Sequence, residues 1–213
     1  MTVRQVIGKR RSVTAMQSRG IKRRAALVDA AIALLEENSP QEISLKQIAA
    51  KAEVPEGSAY HFYANKYDLF IDVATQMTQQ FEVAFSKPIE GEVNSWHDVI
   101  DFFIDGAVEV YRNSRVTREL LIGSKTPPEI KLADDELARQ IADTMVAKLN
   151  DHFRLPELDD MTRVMYYMVE MADVMLAISV REHDNIQDDH VEEAKRVARG
   201  YLATYLPSVL PRA

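Results

Sequence analysis

Residues 44–70, SLKQIAAKAEVPEGSAYHFYANKYDLF, hold a short helix, a tight break and a second short helix, and this stretch constrains the fold most. Two such helices bury too little to be stable alone, so the pattern fits a device that leans on neighbours and presents one helix outward. Ser44 precedes the apolar positions Leu45, Ile48 and Ala49, and Gln47 stands where a capping box requires it. Leu45, Ile48, Ala49 and Ala52 recur at helical spacing, with Lys46 and Lys51 off that stripe. Glu53 and Val54 form the break, and Pro55 suits a first turn, where its missing N–H needs no partner. Gly57, Ser58 and Ala59 keep the second helix slim, as a helix entering the roughly 12 Å wide major groove must be. Tyr60, His61, Phe62 and Tyr63 mix core anchors with groups able to reach phosphate or base edges. The residues alone leave two readings: a head that presents a helix to DNA, or a small helical subdomain whose aromatics are simply core.

Charge is divided along the chain. Residues 1–70 carry 11 Lys or Arg against 7 Asp or Glu, and residues 71–213 carry 15 against 26, giving the net −7 of the whole. A basic head on an acidic body points to one DNA-facing end, with repulsion holding the body off the duplex. The first helix is expected from about Arg19 or Gly20 to Glu37, with Ile21, Ala25, Leu27, Val28, Ala31, Ile32, Leu34 and Leu35 as its apolar band and Asn38-Ser39-Pro40 as its stop. Arg19, Lys22, Arg23 and Arg24 cluster at that opening, beyond a flexible basic arm over 1–18 that contains Lys9, Arg10 and Arg11. Cations at a helix N-terminus oppose the dipole by a few tenths of a kcal/mol. That cost favours phosphate neutralisation, or arginines entering a narrow minor groove, over a merely solubilising leader.

The rest reads as helices joined by short breaks: about 65–85, 95–111, 115–121, 127–153, 158–180 and 190–206. No alternating β-rich stretch interrupts them, so an all-α chain of about nine helices is expected, with an arm over 1–18, a head over 19–70 and a body over 71–213. There is no cysteine, no glycine-rich phosphate cradle and no HExxH, so thiolate sites and disulfides are excluded and nothing supports an enzyme or a cofactor. His61, His97, His152, His183 and His190 are scattered without ligand spacing, so no metal is expected. Asp134-Asp135-Glu136 and Asp188-Asp189 read as acidic helix starts rather than catalytic pairs. Residues 161–178 hold Met161, Met165, Met168, Met171 and Met175, five of the nine methionines, beside Val164, Tyr167, Val174 and Ile178. A helix apolar around most of its circumference meets more than one neighbour, and methionine suits an adaptable cavity. Its polar strip, Arg163, Tyr166, Glu170 and Asp173, is open to three readings: effector contact, subunit interface or plain exposure.

From Arg24 to Phe70 the chain resembles the tetracycline-repressor (TetR) family of bacterial transcription regulators. The resemblance is carried by Ala25, Ala30, Ala31 and Leu34, then Ile43-Ser44-Leu45, Ile48-Ala49, Val54, Gly57, Tyr60, His61-Phe62-Tyr63 and Asn65-Lys66-Tyr67-Asp68-Leu69. Glu53 stands where the family usually has glycine, Phe62 where histidine is common and Tyr63 where phenylalanine is common. The resemblance implies a helix-turn-helix head on a helical effector-binding and dimerisation body, binding double-stranded operator DNA and released by a small-molecule effector. Tyr60 is then mainly a core anchor, His61 meets the DNA backbone, Lys66 lies near phosphate, and Pro55, Glu56, Ser58 and Ala59 face the groove. With Arg23, Arg24, Ser44 and Lys46 these make the expected DNA-contacting set. Homodimerisation is expected through the last two long helices, and Trp96, Phe103, Tyr111, Leu120, Met145, Tyr167, Met168 and Met171 are expected to line the effector pocket. The alternative is an all-helical protein-interaction or small-molecule-binding module without specific DNA binding. No stretch approaches the length of a membrane span and the basic leader lacks a continuous apolar run, so a cytoplasmic protein is expected.

Overall fold

Helical spacing and capping residues translate into helices along the computed structural model, which describes residues 3–123, 126 and 128–213, with side chains described for all of these except 3–18 and 132–135. The chain divides into two compact units, Met1–Val73 and Ala74–Ala213. The first contains α1 (Val3–Leu35), α2 (Leu45–Lys51), α3 (Glu56–Phe62) and the beginning of α4 (Lys66–Ser86). The second contains the remainder of α4, then α5 (Trp96–Asn113), α6 (Arg115–Thr117), α7 (Pro128–Asn150), α8 (Met161–His183) and α9 (Asp188–Leu202). Among the described residues there is no strand, only an isolated bridge between Phe153 and Arg212.

In the first unit, α1 begins at Val3, well before the expected Arg19 or Gly20. Arg19, Lys22, Arg23 and Arg24 therefore sit along a helix rather than at its mouth, and the dipole argument for their clustering does not apply. The side chains of Lys9, Arg10 and Arg11 lie outside the described residues. Leu27, Ala31 and Leu35 are buried with Ile43, Leu45, Ile48, Ala49 and Val54, whereas Ile21 and Ala25 of the expected apolar band face outward. The α2 cap is reciprocal: Ser44 Oγ accepts from the Gln47 N–H at 3.2 Å, and Gln47 Oε1 accepts from the Ser44 N–H at 2.8 Å. Such a cap contributes about 1 kcal/mol. Glu53 makes the following turn at φ 53°, the left-handed conformation that favours glycine.

In the second unit α8 packs against α7 and α9, and α9 packs against α5. Ion pairs set the last register: Asp101 with Arg199, Asp105 with Lys195 and Arg112 with Asp188. As the α5 number rises its α9 partner falls, so the two helices run antiparallel. After α6 the backbone widens into a π-helical turn, Arg118–Ile122, which ends at Gly123. A Cβ on Gly123 would lie 2.4 Å from the Glu119 carbonyl oxygen, so only glycine fits this exit. Helix α7 begins at Pro128, so the expected acidic helix start at Asp134-Asp135-Glu136 lies within it; the Asp134 and Asp135 side chains are outside the described residues. Asp188 and Asp189 do open α9.

Candidate DNA-contacting surface and ligand cavity

Successive residues of a helix point about 100° apart, which sorts the seven residues of α3. Ala59 is fully buried, so Gly57 and His61 lie opposite it and Tyr60 to one side, all exposed, while Glu56, about 60° from Ala59 on the same flank as Tyr60, is exposed in the first turn. A Cβ at Gly57 would meet nothing within 4 Å, so the slimness expected there lies on the open side. Ser58 is half-buried at the edge of this arc, and Pro55 precedes it, exposed. Lys46, off the buried stripe of α2, is exposed, as is Arg23 on α1.

Several expected contacts have other duties. Ala59, expected at the groove, is a core residue at 0 % exposure. Tyr60, expected as a core anchor, is 52 % exposed, and Tyr63 is buried instead. The helix ends at Phe62, and Tyr63 has extended backbone (φ −136°, ψ 121°), so the chain leaves the helical period. Arg24 is exposed, and its fork also holds Asp72: Nε to Oδ2 is 2.8 Å and Nη2 to Oδ1 is 2.9 Å. Tyr63 donates to the same carboxylate at 2.5 Å and accepts from Arg24 Nε at 3.1 Å. Burial, reinforced by the Asp72 hydrogen bond, pushes the Tyr63 phenol up to about 12. The Lys66 ammonium, expected near phosphate, donates to the carbonyls of Pro40 (2.9 Å), Gln41 (3.0 Å) and Ile43 (2.8 Å). Its three protons are thereby used to clasp the loop before α2, and its charge is partly buried. Ser44 likewise spends its hydroxyl on the α2 cap, accepting from Gln47 N–H and donating to Gln47 Oε1 at 2.6 Å.

In the second unit, α4, α5, α7 and α8 enclose a cavity of about 40 Å³. Phe81, Phe85, Phe103 and Tyr111 form its aromatic wall, and Met145, Met168 and Leu176 close it. Of the expected lining, Phe103, Tyr111, Met145 and Met168 come together here. Trp96 does not: its indole N–H donates to the Pro207 carbonyl at 3.0 Å, anchoring the C-terminal tail. Leu120 is buried in the π-helical turn, and Met171 points off the inward stripe of Met165, Met168, Ala172 and Leu176. Tyr167 is 41 % exposed, with its hydroxyl accepting from Arg163 Nε at 2.8 Å. Phe81 and Phe85 were missed by sequence reasoning, although their four-residue spacing on an amphipathic helix marks them as sharing an inward face. Asp173 reaches the cavity, and among the described lining residues it alone carries a carboxylate; it also lines, with Glu170, Lys131 and Arg181, a second recess of about 300 Å³.

A family profile described as "Tetracyclin repressor-like, C-terminal domain" matches residues 94–206, and one described as "Bacterial regulatory proteins, tetR family" matches residues 27–73. Among solved structures, the chain is similar to a TetR-family transcriptional regulator from Streptomyces coelicolor, with 24% identity, 87% of this chain and 98% of that chain covered, and a TM-score of 0.63. It is also similar to a TetR transcriptional regulator from Rhodococcus sp. RHA1, at 17% identity, coverages of 87% and 97%, and a TM-score of 0.66. SmeT, the repressor of the Stenotrophomonas maltophilia multidrug efflux pump SmeDEF, matches at 18% identity, coverages of 88% and 93%, and a TM-score of 0.59. No curated protein matches the chain.

Proposed function

Because the chain belongs to the TetR family of bacterial regulatory proteins, we propose that α3 reads an operator and that the cavity beside α8 admits the molecule that ends repression. The chain is a ligand-responsive, DNA-binding repressor and not an enzyme, as regulators of this family are. No helix among the described residues is long and apolar enough to cross a membrane.

The observation that carries the assignment of α3 is its outward arc. Gly57 and His61 are exposed opposite Ala59, with Tyr60 and Glu56 exposed on one flank, leaving this side of the helix for a major groove. Ser58 and Pro55 flank this arc, Glu56 is suited to accept from a cytosine amino group, and Lys46 and Arg23 supply phosphate contacts that position without specifying sequence. Ser44, Lys66 and Arg24 act one step back, holding the elements that aim these groups. Dimerisation through α8 and α9 is supported by the exposed apolar side chains Tyr167 and Val174 on α8 and Tyr205 just past the end of α9. A dimer places two α3 helices on successive major grooves about 34 Å apart.

The cavity favours an effector that is largely aromatic and bears one cationic group, the rings meeting Phe81, Phe85, Phe103 and Tyr111 and the cation meeting Asp173. At about 40 Å³ the cavity is far below the volume of a drug-sized ligand, so binding must push side chains aside. Met145 and Met168 have the rotameric freedom for this. Phe81 and Phe85 lie on α4, the helix that also carries Lys66 and Asp72. An effector preferring the non-binding arrangement by about 3 kcal/mol weakens operator binding more than a hundredfold.

The test is selection of bound sequences from random duplex DNA, then titration of the winner with and without tetraphenylphosphonium, an aromatic cation. An enriched palindrome supports the reading, and release by the cation, weakened in Asp173→Asn, supports the effector class. Folded protein that enriches no sequence would sink the DNA assignment. Equal release of wild type and Asp173→Asn would sink the role of Asp173.

A further inference from the structure

The turn between α8 and α9 gathers side chains that neither the DNA-facing arc nor the cavity uses. Glu182 and His183 end α8, and His190 lies in the first turn of α9. One ligating atom from each of these three residues lies within 4.8 Å of those of the other two. The two imidazole rings stand 5.6 Å apart, steeply inclined at 72°. Their distance in sequence hid this, because no short ligand spacing links positions 183 and 190.

The turn is built to hold them. Asp184 caps α8 in the left-handed conformation at φ 55°, with its N–H on the Val180 carbonyl at 2.8 Å. The buried Ser179 hydroxyl donates to the Asn185 carbonyl at 3.0 Å and accepts from the Gln187 N–H at 2.8 Å, tying both sides of the turn to α8. The Arg112 guanidinium binds the Ile186 carbonyl at 2.9 Å from across α5. His190 is thus presented from a braced frame, while Glu182 and His183 are exposed and able to rotate toward it.

His190 is also oriented. Its Nδ1 lies 2.9 Å from Asp189 Oδ1 and its Nε2 lies 3.8 Å from Glu182 Oε2, so that with the Asp189 carboxylate accepting from Nδ1 it is Nε2 that faces the cluster. A carboxylate behind a histidine in this manner is the usual outer support of a metal-ligating imidazole.

The geometry points to a site for one divalent cation of the zinc class, ligated by His183, His190 and Glu182, with Asp189 orienting His190. Ligands around tetrahedral zinc at about 2.0–2.2 Å stand roughly 3.3–3.6 Å from one another, so the cluster closes by about 1 Å through rotation of its two exposed members. Two imidazoles and a carboxylate without thiolate select zinc, nickel or copper over magnesium and calcium, which prefer all-oxygen shells. Three protein ligands leave a fourth position for water or another donor. The bound ion cross-links the end of α8 to the start of α9. None of its ligands lines the aromatic cavity, so the site is separate from the effector reading and does not depend on it.

The experiment uses full-length, tag-free protein stripped with chelator and desalted, titrated with zinc chloride by calorimetry, with cobalt absorption reporting ligand geometry. The expected result is one zinc per chain with a dissociation constant of about 10 μM or below. His183→Ala and His190→Ala should each weaken this at least tenfold, and Asp189→Asn about tenfold. His183 is exposed, so its variant keeps the fold, checked by circular dichroism without metal, and decides the question should His190→Ala lose structure. No saturable binding by the wild type, or unchanged affinity in His183→Ala, overturns the proposal.

Discussion

Lys66 separates two physical roles that one lysine beside a DNA-binding unit could play. Its ammonium donates to three carbonyls of the loop before α2. Replacing it by methionine keeps the alkyl stem and removes all three bonds. The bonds to Pro40 and Ile43 are partly buried, and the one to Gln41 is exposed. Water replaces the exposed bond at little cost, whereas each of the other two, charge-assisted but only partly buried and so below the usual range for a charged donor, contributes about 1–1.5 kcal/mol net. Lys66→Met is therefore expected to destabilise the protein by about 2–3 kcal/mol, a fall in Tm of roughly 5–10 °C for a chain of this size. Operator binding should weaken only because the α2–α3 pair is less firmly held. The slope of log K against log salt should then stay at its wild-type value. A lysine on a phosphate behaves oppositely: its loss lowers that slope by about 0.9 per contact and leaves Tm unchanged. Calorimetric melting and fluorescence-anisotropy titrations at several salt concentrations distinguish the two. An unchanged Tm with a reduced salt slope would refute the clasp.

Other outcomes follow from the same geometry. Gly57→Ala adds a methyl group into open space and replaces a poor helix former, so stability should hold or rise by up to about 1 kcal/mol while operator affinity falls or its base preference shifts; unchanged sequence selection would remove Gly57 from the groove-facing arc. The Tyr63 phenol is raised from its ordinary 10.0 to about 12, so its stabilising contribution is intact below pH 10 and is lost as pH rises from 10 to 12. Denaturant unfolding should show the wild type losing stability relative to Tyr63→Phe across that window, and a constant difference would deny the buried Tyr63–Asp72 bond. Val174→Arg places a charge on the exposed apolar face of α8 and should raise the dimer dissociation constant at least about a hundredfold, read by sedimentation equilibrium. A variant that stays dimeric at the same concentrations would move the interface elsewhere.

What the amino-acid sequence determined by itself was local. Ser44 and Gln47 announced the α2 cap, the stops at Asn38-Ser39-Pro40 and Gly123 marked helix ends, and 3.6-residue spacing predicted an all-α chain, because each signal acts over about one helical turn. Phe103 and Met168 were legible on apolar helix faces for the same reason, whereas Tyr111 and Met145 were expected at the cavity only through the family resemblance. Tertiary structure decided the partners. Asp72 claims Arg24 across 48 positions, the 40–43 loop claims Lys66 across 23 to 26, and Pro207 claims Trp96 across 111. No local pattern encodes which distant acceptor a long or polar side chain will meet. Nor does it encode that α3 ends before Tyr63, whose extended backbone turns it inward. His183 and His190 had no sequence signature because a turn brings them together, and turns are closed by contacts such as those of Ser179, made only once both helices are in place.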